Sequence, residues 1–501
     1  WSRPPDATRR EGRSSLGTIG LLALLFALSR LPGLGDLPAF LDEAVHIQWA
    51  ERLLNEGRVA KPVSAGRLLA VVAYGGAVPF ENRLLTARFI AASAGALALA
   101  ALVVLTRRLF GARAAFVAGL LYIASPLALV YDRLALSDVF LSAAIAWLAV
   151  ASAAMVEAAS LPAALGLVFA VGAAVTAKVS AVLFLGLAPL AALCLGNPRL
   201  RALVRVSLAL LAGLLLASPM LVAFLRTGSE IAAQHIVDPT VGAQALAGTL
   251  SDMAGWLLSY FTIPLLVGAG CASVLLRDSR AVWLSASAIL PFLLFALFSE
   301  PWSARYVLPA LPPLLCLVAG GLEAASRRFS RPGLALAVLF VAVSSSMLSF
   351  DRLLLEDPPS APFPEDDRRQ LVTGWPAGYG VVDIAQRLRG EAAAGQTTTV
   401  VIDVGGTRTV PEVLALELGR DRRFDLVETD IDSPVAARSL VGYATAGPTY
   451  AVDAPRPSAP DLRGRVAVAG GLAERLGLYE RPGGEWAGSL FRVRADSAGP
   501  K

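Results

Sequence analysis

Charge is scarce in this chain. Of its 501 residues, 17% are Asp, Glu, Lys or Arg, against about 25% in a soluble globular protein. A large soluble enzyme is therefore excluded. Cysteine occurs three times, at Cys194, Cys271 and Cys316, each inside an apolar run, which supports neither a disulfide framework nor a cysteine-built zinc site. Histidine occurs twice, at His46 and His235. The full GxGxxG pattern is missing. Gly405-Gly406 follows a β-branched run and reads as an ordinary strand-to-loop turn rather than a phosphate loop. The C-terminal part shows no catalytic triad and no metal motif. No internal repeat is visible, nor a pair of broken helices in matching halves, which many transporters carry. The net charge of +5 does not point to nucleic acid, because the arginines lie in short clusters between apolar runs.

Apolar sequence is what the chain has. Hydrophobic residues make up 55% of it, and the mean hydropathy is +0.62. With about 20 apolar residues needed per crossing, spans are expected at 16–34, 84–106, 113–131, 137–157, 161–177, 179–196, 203–225, 253–276, 281–298, 306–323 and 333–350. Only Lys178 and its neighbours divide the fifth from the sixth. The segment 18–31, after Arg9, Arg10 and Arg13, has features of a signal peptide, but the later spans make it a first transmembrane helix. The chain begins at Trp1 rather than Met, which reads as a trimmed start.

Basic clusters orient the spans. With the N-terminus inside, Arg107, Arg108 and Arg113 fall inside, as do Arg199, Arg201 and Arg205, then Arg277 and Arg280, then Arg327, Arg328 and Arg331. Residues 35–83, the turn at 131–133, loop 226–252 and residues 299–305 then face outside, as does the C-terminal tail. In the first external loop, residues 43–55 read as an amphipathic interfacial helix, with Val45, Trp49, Leu53 and Leu54 on one stripe. From 351 the composition changes. Residues 351–367 are rich in Pro and acid and read as a linker. Beyond them, 397–404, 424–428, 450–453 and 465–469 read as strands and 381–388 and 411–418 as helices, giving a small α/β domain of about 130 residues. The expected organisation is a polytopic α-helical membrane domain over 1–350, the linker 351–367, and a soluble extracytoplasmic α/β domain over 368–501. Trp375-Pro376-Ala377-Gly378-Tyr379-Gly380 is an aromatic-glycine turn that either covers the membrane site or starts the domain.

Four constellations could carry chemistry. Asp42 and Glu43 sit side by side just after the first span, next to hydrocarbon where an ionised side chain costs about 2.5–3.5 kcal/mol. They are either a helix N-cap with a first-turn acid, or a general base with a neighbour that orients the acceptor. Tyr131-Asp132-Arg133-Leu134-Ala135-Leu136-Ser137-Asp138 joins two spans outside. It is either a polar turn with Ser137 as cap and an ion pair of its own, or part of a site in which Asp138 faces the cavity of Asp42. Lys178 and Arg305 are basic on the side where basic residues are scarce. They either snorkel and cap or face an anionic leaving phosphate. Arg67, Arg83, Arg88 and Arg133 are further candidates. Finally, Asp42 and His46 are four residues apart, and with Glu43 or Asp138 nearby could hold a divalent cation.

Together these residues resemble the GT-C superfamily of integral-membrane glycosyltransferases, in the bacterial branch related to protein O-mannosyltransferases and the lipid A aminoarabinose transferase. Asp42-Glu43 resembles that family's acidic signature. Arg133-Leu134-Ala135-Leu136-Ser137-Asp138 resembles its Arg-x-Ala-Leu-x-Asp turn, Val175-Thr176-Ala177-Lys178 its Leu-Thr-Lys step, and Arg305-Tyr306-Val307-Leu308-Pro309-Ala310-Leu311-Pro312-Pro313 its late Arg-Tyr-x-Leu-Pro-x-x-Pro-Pro motif. The likeness runs over 15–350. It implies a GT-C fold for the roughly eleven spans read above, a polyprenyl-phosphate-linked sugar donor, inversion at the anomeric carbon and Asp42 as base. It also implies a bacterial plasma membrane setting, with the acceptor a glycan, lipid or protein. Many relatives carry Gly-Lys-Pro-Pro and aromatics in the first loop. Here the stretch is Gly66-Arg67-Leu68-Leu69-Ala70, and Arg67 is not equivalent to the Lys it replaces. Arg67, Arg133, Asp138, Lys178, Arg305 and Tyr306 are the expected substrate and phosphate contacts. A hexosyl or pentosyl transferase is the expected activity. The rivals are a lipid or sugar-lipid transporter or flippase that uses the same buried charges as a pathway, and a non-catalytic membrane protein whose external domain binds a partner.

Overall fold

Apolar runs of this length form helices because the hydrocarbon offers the backbone no hydrogen-bond partner but its own. The computed structural model describes residues 5–227, 242–298, 303–328, 345, 347–393, 395–431, 433–454 and 462–496. Among them, five helices are long and apolar enough to cross a membrane: Arg83–Phe110, Ser137–Ala158, Arg199–Thr227, Ala247–Leu276 and Ala304–Arg328. A sixth crossing is formed if Ala112–Ile123 and Pro126–Asp132, bent by 63° at their junction, count as one span. The bend has a local cause. Pro126 lacks a backbone N–H and forces Ser125 into an extended conformation (φ −77°, ψ 119°), so the helix stops and restarts. Shorter apolar helices occupy Gly17–Arg30, Leu68–Ala77, Leu161–Ala177 and Val179–Leu195. On Arg199–Thr227, Leu208, Leu211 and Leu215 are exposed by the protein itself, as expected of a helix flank covered by lipid. The expected span at 333–350, most of loop 226–252, residues 299–302, Arg331 and His235 lie largely or wholly outside the described residues.

Two compact units divide the chain. The first comprises Trp1–Leu34, Trp49–Glu81 and Leu85–Pro364; the second comprises Gly35–Gln48, Asn82–Leu84 and Glu365–Lys501. In the first, the stretch expected as a linker carries a helix as far as Glu356 and then buries Phe363. Its ring packs edge-on against Phe350, and Phe350 in turn meets Tyr260.

The second unit is built on five strands: β1 (Thr398–Asp403), β2 (Phe424–Thr429), β3 (Thr449–Asp453), β4 (Gly471–Glu480) and β5 (Trp486–Ala495). Their order across the sheet is β2-β1-β3-β5-β4. β1 runs parallel to β2 and β3, and β5 antiparallel to β3 and β4. Helices Thr409–Leu418 and Pro434–Ala446 make the connections that parallel strands need. Val401, Leu440, Ala451, Phe491 and Val466 form a shared core. One expected strand is corrected: of residues 465–469, all but Ala469 lie at the end of helix Leu462–Val468, and Ala469 is in the turn after it. The run is short enough for either period, and burial of Leu462 and Val466, four apart, selects the helix. The hairpin of β4 and β5 turns on Pro482-Gly483-Gly484, where both glycines take positive φ, 101° and 85°.

The helix expected at 43–55 spans Leu41–Glu56, but its buried face differs from the expected stripe. Ala44, Ile47 and Ala50 are fully buried together with Glu43 and His46. Val45, Trp49 and Leu53 are half-buried, and Leu54 is exposed.

Candidate active site

In the first unit, four sequence-remote segments bring their charged side chains together. Asp138 lies in the first turn of helix Ser137–Ala158. Lys178 occupies the break after helix Leu161–Ala177, in extended conformation (φ −161°, ψ 130°). Arg305 and Tyr306 sit in the 3₁₀ helix Ala304–Ala310. Arg67 stands just before helix Leu68–Tyr74. Neutral contacts hold these segments in register. Val179 donates its backbone N–H to the Gly66 carbonyl at 2.9 Å, which places Lys178 beside Arg67. Gly66 has φ +67°, and a Cβ there would lie 2.9 Å from the Val179 side chain, so both the turn and the approach require glycine. The Tyr74 hydroxyl donates to the Leu136 carbonyl at 2.9 Å, and its ring meets Phe140 edge-on at 5.5 Å. The Tyr131 and Ser303 hydroxyls are 3.1 Å apart, and Ser142 donates to the Leu308 carbonyl at 3.3 Å.

At the centre, Lys178 Nζ donates to Asp138 Oδ1 at 2.6 Å. The same ammonium lies 4.4 Å from the centre of the Tyr306 ring, and the Arg305 guanidinium lies 5.5 Å from it. Arg305 and Arg67 both reach Asp138 electrostatically. Lys178, Asp138 and Arg305 are 7%, 2% and 5% exposed. Three cations thus surround the Asp138 carboxylate, and cations gathered at one place attract an anion.

Arg133 belongs to a different network. It donates to the carbonyls of Arg30 at 3.2 Å, Pro32 at 2.6 Å and Gly33 at 2.6 Å. Its neighbour Asp132 pairs with Arg30 at 3.2 Å, not with Arg133 as expected of an ion pair within the turn, and also accepts from the Tyr122 hydroxyl at 3.2 Å. Arg30 further donates to the Ile123 carbonyl at 2.7 Å. Ser137 does not cap its helix: its hydroxyl is buried and makes no hydrogen bond. Arg88 holds the Leu34 carbonyl at 3.0 Å. In the second unit, Arg83 holds the Leu416 carbonyl at 2.7 Å. These arginines fasten backbone. Sequence reasoning missed Arg30, although a lone arginine closing the first apolar run was the available signal.

Asp42, Glu43 and His46 belong to the second unit. Phe40, not Asp42, is the cap of their helix. Glu43 Oε2 accepts the Phe40 backbone N–H at 3.0 Å, the reach-back half of a capping box. Asp42 is half-buried in the first turn, where the helix dipole favours a carboxylate. Glu43 and His46 are fully buried. The aromatic-glycine turn supports this start: Leu41 donates its N–H to the Pro376 carbonyl at 3.0 Å, and a Cβ on Gly378 would collide with the Ala39 carbonyl. Gly405 donates its N–H to Asp403 Oδ1 at 3.1 Å, an ordinary side-chain-closed turn.

Among the described residues, no three His, Cys, Asp or Glu side chains gather as a metal site requires. The expected cation ligands Asp42, His46 and Asp138 form no such group.

The first unit holds an apolar cavity of about 460 Å³. Leu69, Phe140, Trp147, Phe169 and Ala173 are among its walls. Leu69 and Phe140 each lie two residues beyond a cluster member, Arg67 and Asp138.

The comparisons agree on architecture. The family model for dolichyl-phosphate-mannose-protein mannosyltransferase matches residues 72–224. No curated protein matches. Among solved structures, ArnT from Cupriavidus metallidurans bound to undecaprenyl phosphate is similar with a TM-score of 0.58 at 16% identity, over 97% of this chain and 99% of that one. Arabinofuranosyltransferase AftD from Mycobacteria is similar with a TM-score of 0.53 at 18% identity, over 97% of this chain and 40% of the other. The Archaeoglobus fulgidus oligosaccharyltransferase in complex with Zn and sulfate is similar with a TM-score of 0.51 at 11% identity, over 87% and 67%. At these identities the likeness establishes the fold.

Proposed function

We propose, for a chain that has the fold of the GT-C glycosyltransferases, that it transfers a sugar with inversion from a polyprenyl-phosphate-linked donor to an acceptor hydroxyl or amine. The observation that carries this reading is the convergence of Asp138, Lys178, Arg305, Tyr306 and Arg67, three cations around one carboxylate. Arg67, Lys178 and Arg305 face the donor phosphate. The apolar cavity walled by Leu69, Phe140 and Trp147 takes part of the polyprenyl chain. Undecaprenyl phosphate is the lipid held by the ArnT structure, which supports that lipid class.

The chemistry follows from charge. The acceptor attacks the anomeric carbon as the bond from that carbon to the phosphate oxygen breaks. The electron pair stays on the phosphate, whose growing charge the three cations stabilise more in the transition state than in the bound donor. The acceptor proton goes to Asp42, the general base. Glu43 fixes the helix start that presents Asp42. Tyr306 packs between the cations, and Asp138 balances them. The orientation rule places this reaction on the extracytoplasmic face of a bacterial plasma membrane, with a cytoplasmic N-terminus and about eleven spans in residues 1–350. The domain at 368–501, after the segment 351–367, lies outside and helps select or shield a glycan, lipid or protein acceptor.

The test is a transfer assay on purified protein in lipid. Radiolabelled polyprenyl-phosphate sugars, hexosyl and pentosyl, are presented with a membrane extract as acceptor. Transfer from one donor, lost in Asp42→Asn while the lipid still binds, supports the reading. Binding without transfer in either protein transfers support to a transport or scaffold role.

A further inference from the structure

Not every buried cation here is balanced in the same way. Arg133 is met by three neutral carbonyls, whereas Lys178 is met by a full negative charge on Asp138 at 2.6 Å. A neutral oxygen would have satisfied the ammonium. A carboxylate lowers the positive potential of the whole site, and it does so with little screening, because Asp138 is 2% exposed.

The reaction changes what that potential acts upon. The donor phosphate is a diester with one negative charge. Once the sugar leaves, the polyprenyl phosphate is a monoester, which approaches two negative charges above about pH 6. Three cations alone would hold such a product far more tightly than the donor. A nearby carboxylate repels a dianion about twice as strongly as a monoanion. Resting on the donor reading above, we infer that Asp138 sets the preference of the site between phosphomonoester and phosphodiester, and thereby speeds release of the spent lipid. The charged groups that face it are Lys178, Arg305 and Arg67, with the Tyr306 ring beside them.

The experiment measures binding of undecaprenyl phosphate and of its methyl diester to the full chain in nanodiscs. Wild type, Asp138→Asn and Asp138→Glu are compared at about pH 8 and about pH 5, on either side of the second phosphate ionisation. At the higher pH, Asp138→Asn should bind the monoester about tenfold more tightly and the diester about threefold, one charge against two. Asp138→Glu should restore the wild-type ratio. At the lower pH the monoester carries one charge, and the two lipids should respond alike. Asp138→Ser, neutral and smaller, carries the same expectation and decides the matter if the Asn protein does not fold. A neutral variant that shifts both lipids by one factor at both pH values, or weakens them equally, overturns the inference and leaves the donor reading standing. A wild type that binds neither lipid overturns both.

Discussion

Replacing Lys178 by Met removes the ammonium that pairs with Asp138 at 2.6 Å, where the two side chains are 8% and 3% exposed. Deleting one partner of a buried pair costs about 3–5 kcal/mol, because the surviving charge stays buried without its partner. Arg67 and Arg305 also act on Asp138, so they offset part of that loss, and about 2–4 kcal/mol is expected. Neutralising both members, Lys178→Met with Asp138→Asn, should recover most of the stability. It should also return lipid binding most of the way to wild type, because one cation and one carboxylate are lost together. Thermal unfolding in one detergent ranks the three proteins, and binding of undecaprenyl phosphate is measured on the same samples. The expected order of stability is wild type, double variant, then Lys178→Met, with lipid binding weakened most in Lys178→Met. A single variant as stable as wild type would refute the buried-pair reasoning. A Lys178→Met protein that binds lipid like wild type would remove Lys178 from the phosphate site.

Two further outcomes follow from buried charge. Asp351 lies just past the last expected span, and burial pushes its carboxyl up to about 7, with Arg30 pulling the other way; its Oδ1 has no hydrogen-bond partner. A carboxyl raised in the folded state contributes stability that is present below its unfolded value of about 4 and lost as pH rises through its folded value. Asp351→Asn should therefore melt at a higher temperature than wild type at about pH 8, an advantage that disappears by about pH 4; parallel pH profiles would contradict this. Gly95 packs against the Asp132 carboxylate, and a Cβ there would fall 2.5 Å from Cγ and Oδ1. Gly95→Ala should push Asp132 off Arg30 and cost about 2–4 kcal/mol in unfolding experiments. Gly166→Ala, whose nearest neighbour would be 3.9 Å away, should be close to neutral, and equal effects at the two sites would refute the steric argument.

What was legible in the sequence was whatever depends on local pattern. Apolar length marked the helices, a β-branched run marked β1, and the segments read as strands at 424–428 and 450–453 lie close to the ends of β2 and β3. The division at Lys178 was visible as one charge in an apolar run, and the structure gives it a backbone cause, an extended residue tied through Val179 to Gly66. Partnerships were not legible. Nothing near Asp132 in sequence names Arg30, 102 positions away, and the family motif containing Arg133 does not disclose that its donors go to the carbonyls of residues 30, 32 and 33. The β4–β5 hairpin had a signal in Pro482-Gly483-Gly484, but its strands alternate too weakly to be recognised. The buried face of helix Leu41–Glu56 escaped because Ala44 and Ala50 are too small to mark a stripe, and because the polar Glu43 and His46 are among its buried residues.

The central claim is that a sugar leaves a polyprenyl phosphate through attack by an acceptor deprotonated by Asp42. Its most direct test is stoichiometry. Purified protein in lipid is given the donor that the panel selects and its acceptor, and glycosylated acceptor and released polyprenyl phosphate monoester are counted together. The account predicts equal amounts of both with wild type and neither with Asp42→Asn, which still binds the lipid. Monoester released without glycosylated acceptor, or transfer undiminished in Asp42→Asn, would contradict it.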